Sequence, residues 1–108
     1  MLNQIIIVGR LVDNPTIEEN GEKKISNIVV AVPRSYKNSD GEYETDFIDV
    51  ELWDCVASST ADYCKKGDII GVKGRIKVEN YDNNGITTKV TKIVAEKITF
   101  LSSKKDDE

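Results

Sequence analysis

Odd and even positions part company in the stretch from Ile25 to Asp54, ISNIVVAVPRSYKNSDGEYETDFIDVELWD. In its second half Ile48, Val50 and Leu52 point one way, while Phe47, Asp49, Glu51 and Trp53 point the other. That is the period of a β-strand with one buried face. Between the halves stands Asp40-Gly41, a strong hairpin signal, so the stretch predicts two long strands joined by a tight turn. A face holding Phe47 and Trp53 together with Asp49 and Glu51 is neither a core face nor an ordinary wetted one. It reads as a platform for flat, partly polar ligands.

The rest of the chain can be read the same way. Leu2 to Val12 forms a first strand that is apolar on both faces across Ile5, Ile6, Ile7 and Val8. A barrel strand buries one face in its own core, so the other needs cover. A subunit interface is the natural candidate, and a helix or loop of the same chain is the alternative. Gly9 suggests a bulge or sharp coil. Asn20-Gly21 predicts a hairpin from the first strand to the second, Lys24 to Tyr36, which is apolar on both faces from Ile25 to Val32. Pro33 puts its end on an edge or bulge, and Arg34, Tyr36 and Lys37 project beyond it on an exposed finger.

After the third strand the spacing turns helical. Val56, Ala57, Ala61 and Cys64 share a face, with Asp54 as a candidate N-cap and Gly67 as a stop. A fourth strand then sets Ile70, Val72, Gly74, Ile76 and Val78 inward and Lys73, Arg75, Lys77 and Tyr81 outward. Asn84-Gly85 turns the chain into a fifth strand, Thr87 to Leu101. The predicted fold is all-β: five antiparallel strands with one short helix between strands three and four, the element order of an oligonucleotide/oligosaccharide-binding (OB) barrel. Closure is inferred from that order. Residues 1–101 form the one domain, and 102–108 a short polar tail with an acidic end.

Composition narrows the chemistry. The 108 residues suffice for one modest core, and 39% hydrophobic with 31% charged residues fits a soluble globular domain. No run approaches the ~20 apolar residues of a membrane helix, and the N-terminus lacks a basic leader, so a cytoplasmic protein is expected. There is no histidine, and Cys55 and Cys64 alone cannot furnish a conventional zinc set; both read as reduced packing residues. Without a histidine base, a P-loop or a dinucleotide motif, neither an enzyme nor a cofactor or metal is expected. A net charge of −4 and a pI near 4.9 weigh against a nucleic-acid partner, although a local groove can be basic on an acidic protein.

Set on the barrel, Tyr36, Phe47, Trp53 and Tyr81 fall near the stripe Lys73, Arg75 and Lys77. Single-stranded nucleic acid is held by such combinations, aromatic faces stacking on bases and cations following phosphates. Taken singly, a Lys/Arg stripe is usually a solvated face and a strand aromatic usually a packing residue. The joint placement carries the reading. Asp49 and Glu51 lie on an open strand face and read as solvated acids, not a hydrolytic pair.

The segments IIIVGRLVDNP, ISNIVVAV, ETDFIDVELWD, YCKKGDIIGVKGRIK and TKIVAEKITFL together resemble the bacterial and phage single-stranded DNA-binding proteins, in order and spacing, over about residues 1–101. The resemblance implies an OB barrel that coats single-stranded DNA without sequence preference in replication, recombination and repair. It also implies a homo-oligomer, a tetramer ahead of a dimer, with contacts through the first strand at Ile5, Ile6, Ile7 and Val8. The base-stacking aromatics fall on Tyr36, Phe47, Trp53 and Tyr81, and the backbone cations on Arg34, Lys37, Lys73, Arg75, Lys77 and Lys89. Three departures stand out. The tail ends in Asp106-Asp107-Glu108 without the apolar tip by which relatives recruit partner enzymes, so recruitment by that route is not expected. Asp49 and Glu51 stand on the stacking face, and tyrosines and a phenylalanine replace tryptophans of many relatives; both imply weaker, more salt-sensitive binding. Two rivals remain: a primosome-type OB accessory protein, and an OB barrel serving only as a protein-interaction module, which the acidic pI favours.

Overall fold

The computed structural model describes residues 1–103. The chain runs β1 (Ile5–Leu11), β2 (Glu18–Asn20), β3 (Lys23–Lys37), β4 (Tyr43–Trp53), α1 (Asp54–Tyr63), β5 (Ile69–Asn83) and β6 (Ile86–Ser102). Five strands form the barrel, in the order β1-β5-β6-β4-β3, and the ring closes where Arg10 and Leu11 of β1 pair with Ala31 and Val30 of β3. One seam departs from the antiparallel expectation. β4 and β6 run parallel, with Val50 opposite Ile93 and Glu51 opposite Val94. The strand added to the expected five is β2. Gly21, at φ 66°, turns it back onto β3, so the Asn20-Gly21 hairpin joins β2 to β3 and not β1 to β3.

Strict alternation builds the core. Ile7 and Leu11 of β1, Ile28 and Val30 of β3, Val50 and Leu52 of β4, and Ile70 and Val72 of β5 all point inward. The helix α1 packs against β3, β4 and β6 and adds Ala57 to the same cluster. Ser26 also points inward on β3, and its buried hydroxyl lacks a partner. Two glycines permit the ring. A Cβ on Gly9 would stand 2.5 Å from the carbonyl oxygen of Ala31, where β1 crosses to β3. A Cβ on Gly74 would stand 2.2 Å from the carbonyl oxygen of Val94, at a bulge where the β5–β6 register shifts.

The outer strands are longer than the barrel. β5 has 15 residues and β6 has 17, so their hairpin reaches past the core. At ~3.3 Å per residue it spans about 50 Å, well beyond a small barrel. This corrects one expectation: Ile76 and Val78, assigned inward, are 42% and 53% exposed because the core ends near Gly74. The helix also starts differently. Asp54 makes no cap; its backbone is left-handed at φ 47° and its carboxylate accepts the Lys24 N–H at 3.1 Å. Gly67 lies beyond the helix end, and its N–H donates to the Leu11 carbonyl at 2.9 Å. The tail from Lys104 to Glu108, and with it any role in partner recruitment, lies outside the described residues.

The apolar run of β1 splits by parity. Ile7 is 7% exposed within the core and Ile5 packs against it, whereas Ile6 and Val8 point outward and stand exposed. Of the four residues assigned to an interface, Ile7 is withdrawn into the barrel and only Ile6 and Val8 present themselves to a second surface. No chain segment among the described residues covers them.

Candidate functional site

The register of the sheet carries the outward residues of four strands into one surface. On β4, Phe47, Asp49, Glu51 and Trp53 face outward, and their β3 partners are Ala31, Val29, Asn27 and Ile25 in that order. Phe47 is 65% exposed, a large apolar ring set in water beside a small alanine. On the other side of β6, the outward residues of β5 are Lys73, Arg75, Lys77, Glu79 and Tyr81. The parallel β4–β6 seam joins the two halves.

Trp53 sits where they meet. The ammonium of Lys23 lies 5.6 Å from its ring centroid and that of Lys77 5.9 Å, both over the ring. Its indole N–H donates to the Glu51 carboxylate at 2.5 Å. An open trough of about 440 Å³ is lined here by Lys23, Trp53, Arg75, Lys77 and Glu96. A smaller one of about 200 Å³ follows the seam past Asn27, Asp49, Glu51 and Lys92. A more apolar hollow of about 360 Å³ lies between α1 and β6, beneath Tyr63 and Phe100, and shares only Glu96 with the trough at Trp53.

Further along the hairpin, Glu79 draws the groups together. Its carboxylate takes the Lys77 ammonium at 2.9 Å on one oxygen and the Lys92 ammonium at 3.2 Å on the other. The Tyr81 hydroxyl donates to the same carboxylate and accepts from Lys92 at 3.2 Å. Tyr81, and then the two lysines, hold the Glu79 carboxyl down to about 2, far below the usual carboxylate range. Lys92 is raised in turn by Tyr81 and Glu79, and its ammonium stands over the Tyr81 ring at 5.9 Å.

Of the expected residues, Phe47, Trp53, Tyr81, Arg75 and Lys77 come together on this surface, while Lys73 sits further along β5, opposite the exposed Ile6 of β1. Tyr36 and Lys37 stand apart on the β3–β4 finger, beyond the register break between Pro33 and Lys37; Tyr36 is exposed and Lys37 lies over the Tyr43 ring at 5.7 Å. Two other expected cations lie off this surface. Arg34 is spoken for, donating to Asp46 and Glu44 on the face opposite Phe47; the Asp46 hydrogen bond raises its already high pKa. Lys89 pairs with Asn80, whose side is opposite to that of Lys77 and Tyr81. Lys92, directly across from Lys77, and Lys23 are the cations that sequence reading missed. Counting back from the two-residue turn at Asn84-Gly85, where φ is 54° and 81°, would have found Lys92.

Among the described residues, no group of three or more His, Cys, Asp or Glu is arranged to hold a metal ion, and no helix is long and apolar enough to cross a membrane. Residues 2–101 match the model of the single-strand binding protein family. The chain is 38% identical to single-stranded DNA-binding protein B of Bacillus subtilis, covering 96% of this chain and 94% of that one. It is 39% identical to single-stranded DNA-binding protein 1 of Clostridium acetobutylicum, covering 97% and 98%. Its fold matches a crystal structure of a deletion mutant of the single-stranded DNA binding protein from Thermus aquaticus, with a TM-score of 0.77 at 23% identity. That match covers 94% of this chain and about half, 51%, of the solved one.

Proposed function

The chain belongs to the single-strand binding protein family, and on that premise we propose that it binds single-stranded DNA along the outward face of β4, β6 and β5. One observation carries the proposal: Phe47, Trp53 and Tyr81 lie on a continuous surface with Lys23, Arg75, Lys77 and Lys92. Bases stack on the rings, and the cations between them follow the phosphates. Each stack is worth roughly 1–3 kcal/mol and accepts any base, because every base has a π-face. Binding is therefore independent of sequence. Tyr36 and Lys37 on the finger extend the path. The protein protects exposed strands and removes their secondary structure, making and breaking no bond, a role that fits DNA replication, recombination and repair in the cytoplasm.

Family members are oligomeric, and we place the contact at Ile6 and Val8, with a homotetramer as the working assembly. Burying two β-branched side chains per subunit contributes roughly 3–6 kcal/mol before ordering costs, so the rest of the outer β1–β5 face must share in it.

Titration of Trp53 fluorescence with oligo-dT, with duplex DNA as competitor, tests the reading; Trp53 is the only tryptophan. Strong quenching by single strands, little effect of duplex, and binding that weakens with salt are expected. If oligo-dT leaves both the fluorescence and a label-free binding signal unchanged at low salt, the stacking surface has no such ligand. A protein-interaction barrel would remain. Light scattering on the same samples decides between tetramer and dimer.

A further inference from the structure

We propose that Glu79 is an affinity-setting residue, its carboxylate standing in for a DNA phosphate between Lys77 and Lys92 and holding both lysines back from the strand. The inference rests on the single-strand binding reading above and deepens it. Lys77 and Lys92 face each other directly across β5 and β6, an arrangement that like charges disfavour. Glu79, one diagonal step along, resolves the repulsion by taking one ammonium on each oxygen, at 2.9 and 3.2 Å. Tyr81 adds a hydroxyl donor. Two ammonium groups and a phenol converging on a pair of anionic oxygens is the donor set that a phosphodiester would meet.

The clasp also reaches both rings. Lys77 lies over Trp53 and Lys92 over Tyr81, while Glu51 holds the indole N–H at 2.5 Å and stands 3.8 Å from Lys92. Rings, cations and carboxylates thus form one closed network in the free protein. The side chains of Glu79 and Glu51 are only 26% and 12% exposed, so solvent screens them less than rim charges. Glu79, held down to about 2 by Tyr81 and the lysines, is ionised at neutral pH.

A phosphate reaching Lys77 or Lys92 must therefore exchange with a carboxylate already in place. Lysines that stay clasped neutralise no phosphate and so release none of the cations condensed on the strand. The sequence alone implied weak and more salt-sensitive binding; the clasp keeps the weakness but makes the salt dependence shallower.

The test compares parent and Glu79→Gln by oligo-dT titration across salt. Glu79→Gln keeps the length and an acceptor for Tyr81, frees Lys77, and leaves Lys92 only the longer contact to Glu51, at 3.8 Å. If both phosphate contacts are gained, the log–log slope steepens by about 1.4, and the affinity advantage of the variant grows about sevenfold between ~200 and ~50 mM salt. Asp62→Asn on α1 removes an equal charge away from this surface, and its advantage is expected to change by less than about twofold over that range. Lys92→Met should leave the slope unchanged in the parent yet make it shallower by about 0.7 in Glu79→Gln. An unchanged slope in Glu79→Gln, an equal gain in Asp62→Asn, or an equal loss from Lys92→Met in both backgrounds overturns the inference while strand binding stands. No binding by parent or variant at low salt overturns the proposed function, and the inference falls with it.

Discussion

Phe47→Ala separates the surface that binds from the core that folds. The ring is 65% exposed, lies across from Ala31, and belongs to the outward parity of β4, so little of it is packed against protein. Its removal should change folding stability by no more than about 0.5 kcal/mol, as for other surface substitutions. The stacking contribution is different: roughly 1–3 kcal/mol per base, or about a 5- to 150-fold loss of affinity. Because no cation goes with the ring, the loss should be the same at every salt concentration. Plots of log affinity against log salt for parent and variant should run parallel. The assay is titration of Trp53 fluorescence with oligo-dT at several salt concentrations, with urea unfolding measured in parallel. A stability loss above ~1.5 kcal/mol with affinity intact would show that Phe47 is a packing residue. A changed slope would show that the ring acts through neighbouring cations.

Four further outcomes follow from the fold itself. Ser26→Ala should raise stability by up to about 1 kcal/mol, read as a higher urea midpoint at constant m-value, because the buried hydroxyl has no partner; a loss of that size would refute this. Gly74→Ala should cost at least ~2 kcal/mol, its Cβ falling 2.2 Å from the Val94 carbonyl oxygen, whereas Gly71→Ala, with nothing nearer than 3.8 Å, should be nearly neutral; equal unfolding midpoints would refute the contrast. Alkylation of the folded protein should label exposed Cys55 and spare Cys64, whose thiol is pushed up by burial and then by Asp68. Since the folded state holds that proton longer than the unfolded one, the Cys64 contribution to stability should be level below the ordinary thiol value of 9.0 and fall as pH climbs above it, a fall that Cys64→Ala removes.

Much of this was legible in one dimension because strand geometry is local. Alternation assigned Ile48, Val50 and Leu52 to the core and Phe47 and Trp53 to the surface without reference to any partner strand. The turns at Asp40-Gly41 and Asn84-Gly85 were legible for the same reason: positive φ selects its residues at the turn itself, with Gly41 at φ 79°. Even there the tip is organised by a residue that went unremarked, Asn38, whose amide oxygen accepts the N–H groups of Asp40 and Glu42 at 2.9 and 3.0 Å.

What sequence alone determined, then, is the parity of each barrel strand, the order of the five barrel strands and the helix, and the family membership that whole-chain similarity carries. What only the tertiary structure decided is where the core stops and which strands meet. Ile76 and Val78 have the right parity for a core yet lie beyond its end, because periodicity does not encode length against a barrel. Ile7 and Ile6 look alike in sequence, and closure of β1 onto β3 buries one and leaves the other exposed. The parallel β4–β6 seam brings Glu51 beside Lys92, and the crossing of β5 brings Lys77 over Trp53. Charge pairing acts through space over a few ångströms, so whether a lysine is free for a phosphate depends on residues tens of positions away.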